Sequence, residues 1–308
     1  MQANVLLVAG VILFIFLAWA SSGGPERAAS WQPLLGSPFK VASSSISDTG
    51  AERSERNEER ELSRIQEEVV DLQRSAVSAA RFGTPSEYRD RVTLSLGTSA
   101  TSDDPDREYV TITVSTREEE PVNVTGWRLS SSAKGRTIAI PTGVNVPRSS
   151  TINIEEAVIL NPGDRAIVVV GESPVGYSFR ENMCTGYLDQ FQEFYPKLAH
   201  QCPAPVDDFD RFYLGSERQL DSCRAFLRGE NRCEIPRDIP SSVGNECENF
   251  IDTHLDYNGC VDMHLGDRDF LSSTWRVYLE RESGFFTEDH DTLKLLDASG
   301  KTVDLVSY

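Results

Sequence analysis

The sequence predicts a mainly β protein: a β-sandwich that is interrupted by a helical, cysteine-containing insertion and preceded by one long helix. Three observations predict this fold class. Apolar side chains alternate with polar ones in short runs near residue 90 and again after residue 270, as in half-buried strands. All six cysteines lie between Cys184 and Cys260, among apolar residues at helical spacing. A heptad pattern of apolar residues precedes the first strand.

The composition limits the classes of partner. The chain has 308 residues and a formal net charge of −18, and it is long enough for one or two domains with cores of their own. The acidic balance argues against nucleic acid as a partner, because binding phosphates needs a basic face. It argues equally against electrostatic docking on anionic lipid.

Residues 1–22 are interpreted as a transmembrane anchor or a signal segment. Their apolar run, Val5 to Ala20, is about long enough to span a bilayer. We favour an uncleaved anchor because no Lys or Arg precedes the run, although Ala18-Trp19-Ala20 leaves cleavage open. Arg27, the first basic residue, favours a cytoplasmic body, whereas the clustered cysteines favour the opposite. We give the cysteines more weight, since long domains translocate largely regardless of charge.

A flexible spacer rich in Ser, Gly, Ala and Pro is predicted over residues 23–51, and a coiled-coil helix over residues 52–83. Spacings of three and four residues alternate along the predicted seam, which consists of Leu62, Ile65, Val69, Leu72, Ala76 and Ala79. Two interpretations stay open. The helix is either a lone amphipathic helix or a short coiled coil that pairs chains weakly, because only about three heptads are present.

Residues 108–130 carry the clearest strand pattern. Val110 and Ile112 alternate with polar residues and are therefore expected in the core. Gly126 lies where the alternation slips, which predicts a β-bulge or a kink that turns Trp127 inward. The regular spacing of the neighbouring strands indicates a sandwich; they are expected at Val92–Leu96, Thr137–Ile140, Thr151–Ile154, Ala157–Leu160 and Ala166–Val170.

Residues 180–268 interrupt the β pattern. Apolar spacing predicts helical segments around 187–198, 220–227 and 243–251, with Gly229 and Gly259 at C-cap positions. So few large apolar residues cannot form much of a core alone, so disulfides are expected. The candidates are Cys184, Cys202, Cys223, Cys233, Cys247 and Cys260. Their clustering indicates an oxidising compartment, and the sequence does not choose among their possible pairings.

Several motifs in this chain resemble the lamin tail domain. They are Glu108-Tyr109-Val110, Pro121-Val122-Asn123-Val124-Thr125-Gly126-Trp127, Ile140-Pro141 and the run from Leu160 to Gly171. The resemblance resumes at Trp275, a further expected core residue, and continues to Tyr308. It implies an immunoglobulin-like β-sandwich whose last strands close the sheet begun near residue 90, so the domain is expected to span residues 88–308. It also implies a binding or scaffolding role without catalytic residues.

The favoured function is therefore that of a non-enzymatic, single-pass membrane protein. It is expected to present the β-domain outside the cytoplasm as a binding or scaffolding module at the cell surface. Its ligand, a protein or an envelope component such as a glycan or wall polymer, is not identified by the sequence. Aromatic residues of the insertion are candidates for contact, although packing against the sandwich is the favoured explanation for most of them; they are Tyr187, Phe191, Phe194 and Tyr195.

Two alternative functions stay open. A zinc module would use four Cys and His residues as tetrahedral ligands, although their spacing matches no common zinc pattern; they are Cys247, His254, Cys260 and His264. The chain is alternatively an accessory domain of a cell-surface hydrolase system. Its own four histidines show no nucleophile or carboxylate partner at a recognisable spacing, so neither an enzyme nor a cofactor is predicted.

Overall fold

The computed structural model describes residues 51–98, 104–215, 220–287 and 290–308. The predicted anchor (residues 1–22) and all but the last residue of the predicted spacer lie outside this part of the chain. Within the described ranges, no helix is both long enough and apolar enough to cross a membrane.

One long helix, α1, spans Ala51–Phe82, close to the predicted range of 52–83. Its sequence is rich in the strong helix formers Glu, Arg, Leu and Ala. Gly83 ends the helix with a φ of +87°, a backbone conformation that favours glycine. The apolar residues of the predicted seam, Leu62, Ile65, Val69 and Leu72, are all exposed to solvent.

The described residues form eleven strands in three sheets. The strands are β1 (Val92–Leu96), β2 (Tyr109–Val114), β3 (Val122–Asn123), β4 (Arg128–Ser131), β5 (Arg136–Ala139), β6 (Ile159–Leu160), β7 (Arg165–Val169), β8 (Phe179–Asn182), β9 (Leu271–Tyr278), β10 (Thr292–Leu296) and β11 (Thr302–Ser307). One sheet has the order β1-β2-β7-β9-β8, another has β11-β10-β4-β5, and β3 pairs with β6. The pairing of β7 with β9 is parallel, and the others are antiparallel.

Side chains of the two larger sheets form one buried core. Val110, Ile112, Trp127 and Trp275, the four expected core residues, are each at most 2% exposed. The Trp275 indole N–H donates a hydrogen bond to the Ile159 carbonyl at 3.2 Å, so its polar group has a partner inside the core. The protein is therefore β-rich with several sheets.

A bulge before β4 places Trp127 in this core. Gly126 has a φ of +78°, and its N–H donates to the Ile140 carbonyl at 2.9 Å. The Ile140 N–H donates in turn to the Trp127 carbonyl at 2.8 Å. Gly126 and Trp127 therefore both lie opposite the single residue Ile140, which is the pattern of a β-bulge. The extra residue reverses the alternation, and both Val124 before it and Leu129 after it point inward.

Strand β7 is buried on both faces after Arg165, which explains its apolar sequence from Ala166 onward. Val168 belongs to the core shared by the two larger sheets. Ile167 and Val169 point to the opposite face, where they pack against Phe194 and Leu198 of the insertion. The insertion therefore covers the outer face of the five-stranded sheet.

The insertion comprises residues 183–270. It contains helices α2 (Pro205–Phe212), α3 (Leu220–Leu227), α4 (Asn245–His254) and α5 (Tyr257–His264), with 3₁₀ turns at Thr185–Gln190 and Ser241–Val243. Its predicted start at residue 180 differs from the structure, because Asn182 still pairs with Leu271 in the five-stranded sheet. We call residues 84–182 and 271–308 the β-body.

The strand predicted at Thr151–Ile154 is absent from the described residues, and its apolar side chains are exposed: Ile152 is 97% exposed and Ile154 is 84% exposed. The Asn153 side chain accepts a hydrogen bond from the Arg148 N–H at 2.8 Å and donates one to the Arg148 carbonyl at 3.0 Å. These bonds close a local loop, which competes with strand pairing.

The helical segment predicted around 187–198 is shorter in the structure. Only the 3₁₀ turn at Thr185–Gln190 forms, and Pro196 later in the segment has no N–H for a continuing helix. Gly259 was expected at a C-cap but lies inside α5, where its N–H donates to the Asp256 carboxylate at 2.6 Å. Asp256 is thus the N-cap of α5, and Gly259 belongs to its first turn.

The chain enters the β-body beside its last strand. The Thr302 N–H donates to the Thr84 carbonyl at 2.8 Å, and the Ser86 N–H donates to the Thr302 carbonyl at 2.8 Å. The Thr302 hydroxyl also donates to the Phe82 carbonyl at 2.7 Å, which satisfies an acceptor at the end of α1. The segment after the helix is therefore attached to β11.

Candidate functional site

The predicted disulfides are present. They join Cys184 to Cys260, Cys202 to Cys233, and Cys223 to Cys247, and all six cysteines are buried. The first bond links the segment just after β8 to α5, so it connects the beginning of the insertion with its last helix. Cross-links of this kind stabilise a segment whose own apolar clusters are small.

The residues of the predicted zinc site do not come together as ligands. Cys247 and Cys260 belong to two different disulfides, so neither supplies the thiolate that zinc binds. His254 Nδ1 lies 3.2 Å from the Phe250 carbonyl oxygen of its own helix. Across residues 51–98, 104–215, 220–287 and 290–308, no group of three or more His, Cys, Asp and Glu side chains is placed to hold a metal ion.

His264 instead lies between two carboxylates. Its Nε2 is 2.9 Å from Asp208 Oδ1, and its Nδ1 is 2.7 Å from Asp267 Oδ2. Arg211 donates two further bonds to Asp267, at 2.9 and 2.8 Å. The Arg211 guanidinium and then the His264 ring hold the pKa of Asp267 well below its usual value, whereas burial raises the pKa of Asp208. This network, which is buried at His264 and Asp208 and exposed at Arg211, connects α2 with the end of α5.

Arg276 of β9 attaches the insertion to the β-body. Its guanidinium is buried, forms an ion pair with Glu181 of β8, and donates to the Pro196 carbonyl and to the Lys197 carbonyl, the latter at 3.0 Å. A buried charge in this position is tolerated because it is paired with a carboxylate and hydrogen-bonded to backbone carbonyls. The loop at residues 193–198 is thereby held against the sheet.

The four aromatic candidates of the insertion have different environments. Tyr187 lies in a cluster with two disulfides, and Phe194 packs on the outer face of the sheet. Phe191 is 64% exposed. Tyr195 is half-buried, and its ring packs edge-on against Tyr109 of β2 with centroids 5.9 Å apart. Only Phe191 and Tyr195 are therefore available for contact with a ligand.

Tyr195 lies at the rim of a cleft between the insertion and the β-body, which we call the acidic cleft. Its volume is about 350 Å³, within the usual range for a small-ligand site of roughly 300–1,000 Å³. It lies where the loop before β2, the loop after β7 and the 193–195 segment meet. Its walls are formed by Asp104, Asp106, Arg107, Glu172, Ser173, Pro174, Glu193, Tyr195 and Tyr278.

Negative charge predominates in the acidic cleft. Four of its lining residues are carboxylic acids, namely Asp104, Asp106, Glu172 and Glu193, against one base, Arg107. The guanidinium of Arg107 lies 3.6 Å from Asp104 Oδ2 and 5.6 Å from the centre of the Tyr195 ring. Arg107 forms one ion pair, with Asp104, so the residues that line the cleft carry a net negative charge.

Tyr278 of β9 forms the inner wall of the acidic cleft. The residue is 2% exposed, and no hydrogen-bond partner for its buried hydroxyl lies within the described part of the chain. Burial raises the pKa of this phenol; the positive charge of Arg276 lowers it, and the negative charges of Glu181, Glu280 and Asp106 raise it. A phenol is protonated at neutral pH in any case, so this hydroxyl has a proton and lone pairs that no described residue binds.

The sequence indicates only some of the residues that line this cleft. Asp104 and Asp106 belong to an acidic run that is visible in the chain, but Glu172 and Glu193 approach it only through the tertiary fold. Tyr278 lies between Val277 and Leu279, and strand alternation places it on the face opposite to theirs. What that face contacts depends on the insertion, which no local pattern reveals.

The described residues thus define a β-rich protein of several sheets with a helical insertion linked by three disulfides. Comparison of the chain with models of known protein families gives no match, and a search of curated proteins gives none either.

Proposed function

We propose that this chain is a non-enzymatic binding and scaffolding protein, anchored in a membrane through residues 1–22 with its folded part outside the cytoplasm. The β-body is then an immunoglobulin-like sandwich of the lamin tail type, which the spacer and α1 hold away from the membrane. The three buried disulfides support an oxidising compartment, because cytosolic proteins are kept reduced. The ligand class is a protein or an envelope component.

The observation that carries the scaffolding role is the exposed apolar stripe of α1. Its members, Leu62, Ile65, Val69 and Leu72, are 46–62% exposed. They repeat at the a and d positions of a heptad and so lie on one side of the helix. A second copy of α1 covers such a stripe with an identical one. Because the seam is short, association is weak in dilute solution and strengthens where a membrane confines the chains.

Ile65→Asp tests this role, because it places an unpaired charge in the seam and is expected to abolish association. Val70→Asp is the matched control, since Val70 is another exposed β-branched residue of α1 outside the stripe. Chemical cross-linking of the full chain in native membranes should capture dimers of the unchanged and Val70→Asp chains only. Equal cross-linking of all three chains would contradict the proposal.

The cysteines test the proposed location. Alkylation in denaturant of the protein taken from its native membranes, followed by mass spectrometry, is expected to modify none of the six cysteines before reduction and all six after reduction. This outcome follows if the insertion folds in an oxidising compartment. Six cysteines that react before reduction would reject both the pairing and the location.

The lamin tail assignment is supported by the structural roles of the motif residues. Glu108, which begins the first motif, is a buried carboxylate that accepts hydrogen bonds from the Phe285 and Phe286 N–H groups at 2.7 and 3.3 Å. Gly126 forms the bulge that buries Trp127, and Gly163 takes a φ of +86° in the turn before β7. Superposition of the β-body on a lamin tail domain tests the assignment. The sandwich strands should superpose on a lamin tail domain in the same order, and a different strand order would reject it.

A further inference from the structure

The acidic cleft has the charge and the shape of a site for a cationic group. We propose that it binds a basic side chain, a lysine or an arginine, presented by a polypeptide partner. The inference names a ligand class for the binding role proposed above and rests on that role. It does not depend on the helix stripe or on the direction of membrane insertion.

Two carboxylates at the cleft are held in place by backbone N–H groups. Asp106 Oδ1 accepts a hydrogen bond from the Glu172 N–H at 3.0 Å. This approach requires Gly171, because a Cβ atom there would lie 1.9 Å from the same oxygen. Glu280 Oε1 accepts from the Ser173 N–H at 3.2 Å and adds a further negative charge beside the loop. The charges of Asp106 and Glu280 are therefore fixed by the loop backbone, and the exposed glutamates of the cleft add to this negative potential.

Tyr278 is an independent indication of a ligand. Buried hydroxyl groups nearly always have a hydrogen-bond partner, yet the buried hydroxyl of Tyr278 has none among the described residues. An ammonium or guanidinium N–H that enters the cleft can donate to the phenol oxygen. The same group can donate to carboxylates at the rim. The ligand then supplies the partner that this hydroxyl lacks.

The shape and the charge favour a side-chain cation over other ligands. A metal ion requires several oxygen ligands at about 2–2.6 Å, and no such group of side chains exists in the described parts of the chain. A neutral sugar has no charge to offset the carboxylates. Lysine and arginine carry donors at the end of a long apolar stem, and the stem can lie against the half-buried Tyr195 ring while the charged end reaches inward.

The insertion completes this site. Glu193 and Tyr195 come from the segment that Arg276 holds against the sheet, whereas Asp106 and Glu172 belong to the β-body. The partner therefore recognises a surface that exists only when the insertion is folded onto the five-stranded sheet. This arrangement gives the disulfide-linked insertion a role in recognition.

Isothermal titration of the full chain with short peptides tests the proposal. The probes are acetyl-Gly-Lys-Gly-amide, acetyl-Gly-Arg-Gly-amide and acetyl-Gly-norleucine-Gly-amide, in which norleucine keeps the aliphatic stem without the charge. The lysine or the arginine peptide is expected to bind at least about tenfold more tightly than the norleucine peptide, as for charge-assisted hydrogen bonds in a partly buried site. Added salt should weaken that binding, since the carboxylates are near the surface.

Variants locate the binding. Glu172→Gln and Glu193→Gln are each expected to weaken the basic peptide about threefold or more by removing one charge, and Tyr278→Phe should weaken it without any change of charge. Glu119→Gln is the matched control, because Glu119 is exposed in the loop at the opposite end of β2. This control should leave the dissociation constant unchanged.

Several outcomes overturn the proposal. They are equal binding of the norleucine peptide, no binding of either basic peptide at the highest soluble concentration, and equal effects of the cleft variants and Glu119→Gln. Binding of calcium chloride or N-acetylglucosamine in place of the basic peptides also overturns it and assigns the cleft to that ligand instead. Each of these results leaves the α1 cross-linking test unaffected, so failure of this inference is distinguishable from failure of the proposed scaffolding role.

Discussion

Glu108 shows how one buried carboxylate can join distant parts of the chain. The residue is 2% exposed and begins the motif that runs into β2. Its two oxygens accept backbone N–H bonds from Phe285 and Phe286, which follow β9. Both phenylalanine side chains lie in the core of the β-body. The carboxylate therefore fixes the loop that carries two large core residues.

Glu108→Gln is expected to lower the free energy of unfolding by about 1–3 kcal/mol, because the amide nitrogen of glutamine cannot accept a backbone N–H and leaves a buried donor unpaired. Urea denaturation followed by tryptophan fluorescence measures the change. Glu119→Gln, on an exposed loop, removes the same charge and should alter stability by less than about 0.5 kcal/mol. Equal effects of the two substitutions would show that Glu108 has no special role.

Asp267 predicts a pH dependence of stability. Its pKa is lower in the folded chain than in the unfolded chain, mainly through Arg211 and then His264. Such a group contributes stability above its unfolded pKa of about 4, and the contribution is lost as the pH falls toward the folded pKa. The pKa of Asp208 is raised, so this residue affects the pH dependence of stability in the opposite direction. Asp208 is present both in the unchanged protein and in the Asp267→Asn variant, so its effect is common to the two.

We therefore expect Asp267→Asn to be destabilising at neutral pH and the difference from the unchanged protein to shrink steadily below about pH 4. Denaturant unfolding of both proteins at a series of pH values checks this. Asp269→Asn controls for the loss of one acidic charge nearby, because Asp269 acts on Arg211 only through its charge. A difference that stays constant or grows on acidification would contradict the argument.

At the scale of single residues, the sequence predicts apolar burial well and polar networks poorly. Val110 and Ile112 follow a two-residue period, and the Gly126 phase slip marks Trp127, because these signals depend on neighbours along the strand. The partners of buried polar residues are far away in the chain. His264 and Asp208 are 56 positions apart, and Glu108 and Phe285 are 177 apart. No local pattern records such a pairing.

At the scale of elements, Gly259 controls how closely α4 and α5 approach. A Cβ atom at this position would lie 2.4 Å from the Thr253 carbonyl oxygen and 2.5 Å from the His254 Cα atom. Both contacts are with backbone, which cannot move aside without displacing α4. The absence of a side chain therefore allows the tight turn between the two helices, a role that differs from the predicted C-cap.

Gly259→Ala is expected to destabilise the protein by about 1–3 kcal/mol through overpacking, despite the better helix propensity of alanine. Gly266→Ala is the matched control, since a Cβ atom there meets nothing within 4 Å. Chemical denaturation of both variants gives the comparison. A stabilising effect of Gly259→Ala would mean that helix propensity outweighs the steric contact.

Of two segments that the sequence predicts as strands, one forms a strand and the other forms a loop. The segment at Ala166–Val170 is apolar throughout and forms β7, with both faces covered. The segment at Thr151–Ile154 has a similar alternation, yet Asn153 binds the Arg148 backbone and holds it as a loop. Side-chain bonds to the local backbone of this kind compete with strand pairing, and their outcome depends on tertiary contacts that periodicity does not include.

At the scale of the whole molecule, β9 makes the β-body depend on residues that follow the insertion. This strand lies between β7 and β8 in the five-stranded sheet. Trp275 and Val277 point into the shared core, while Tyr278 points to the insertion. We therefore expect residues on both sides of the insertion to be required for one cooperative unit.

Truncation after residue 268 is expected to abolish cooperative unfolding, because it removes β9, β10 and β11. Buried residues such as Leu293 contribute about 2–5 kcal/mol each, so the loss of several exceeds a typical domain stability of about 5–15 kcal/mol. Calorimetry of a fragment covering residues 88–268 measures this against residues 88–308. A soluble short fragment with a sharp thermal transition would refute the single-unit description.

The attachment of Thr302 beside the end of α1 has a mechanical consequence. In a tethered molecule, tension along α1 reaches the β-body at Thr84 and Ser86, each of which shares a backbone hydrogen bond of 2.8 Å with Thr302. Force thus enters at β11, which is paired along its length with β10, before it reaches β1. The four-stranded sheet bears the first load, so a pull on the tether does not begin by peeling away the first strand.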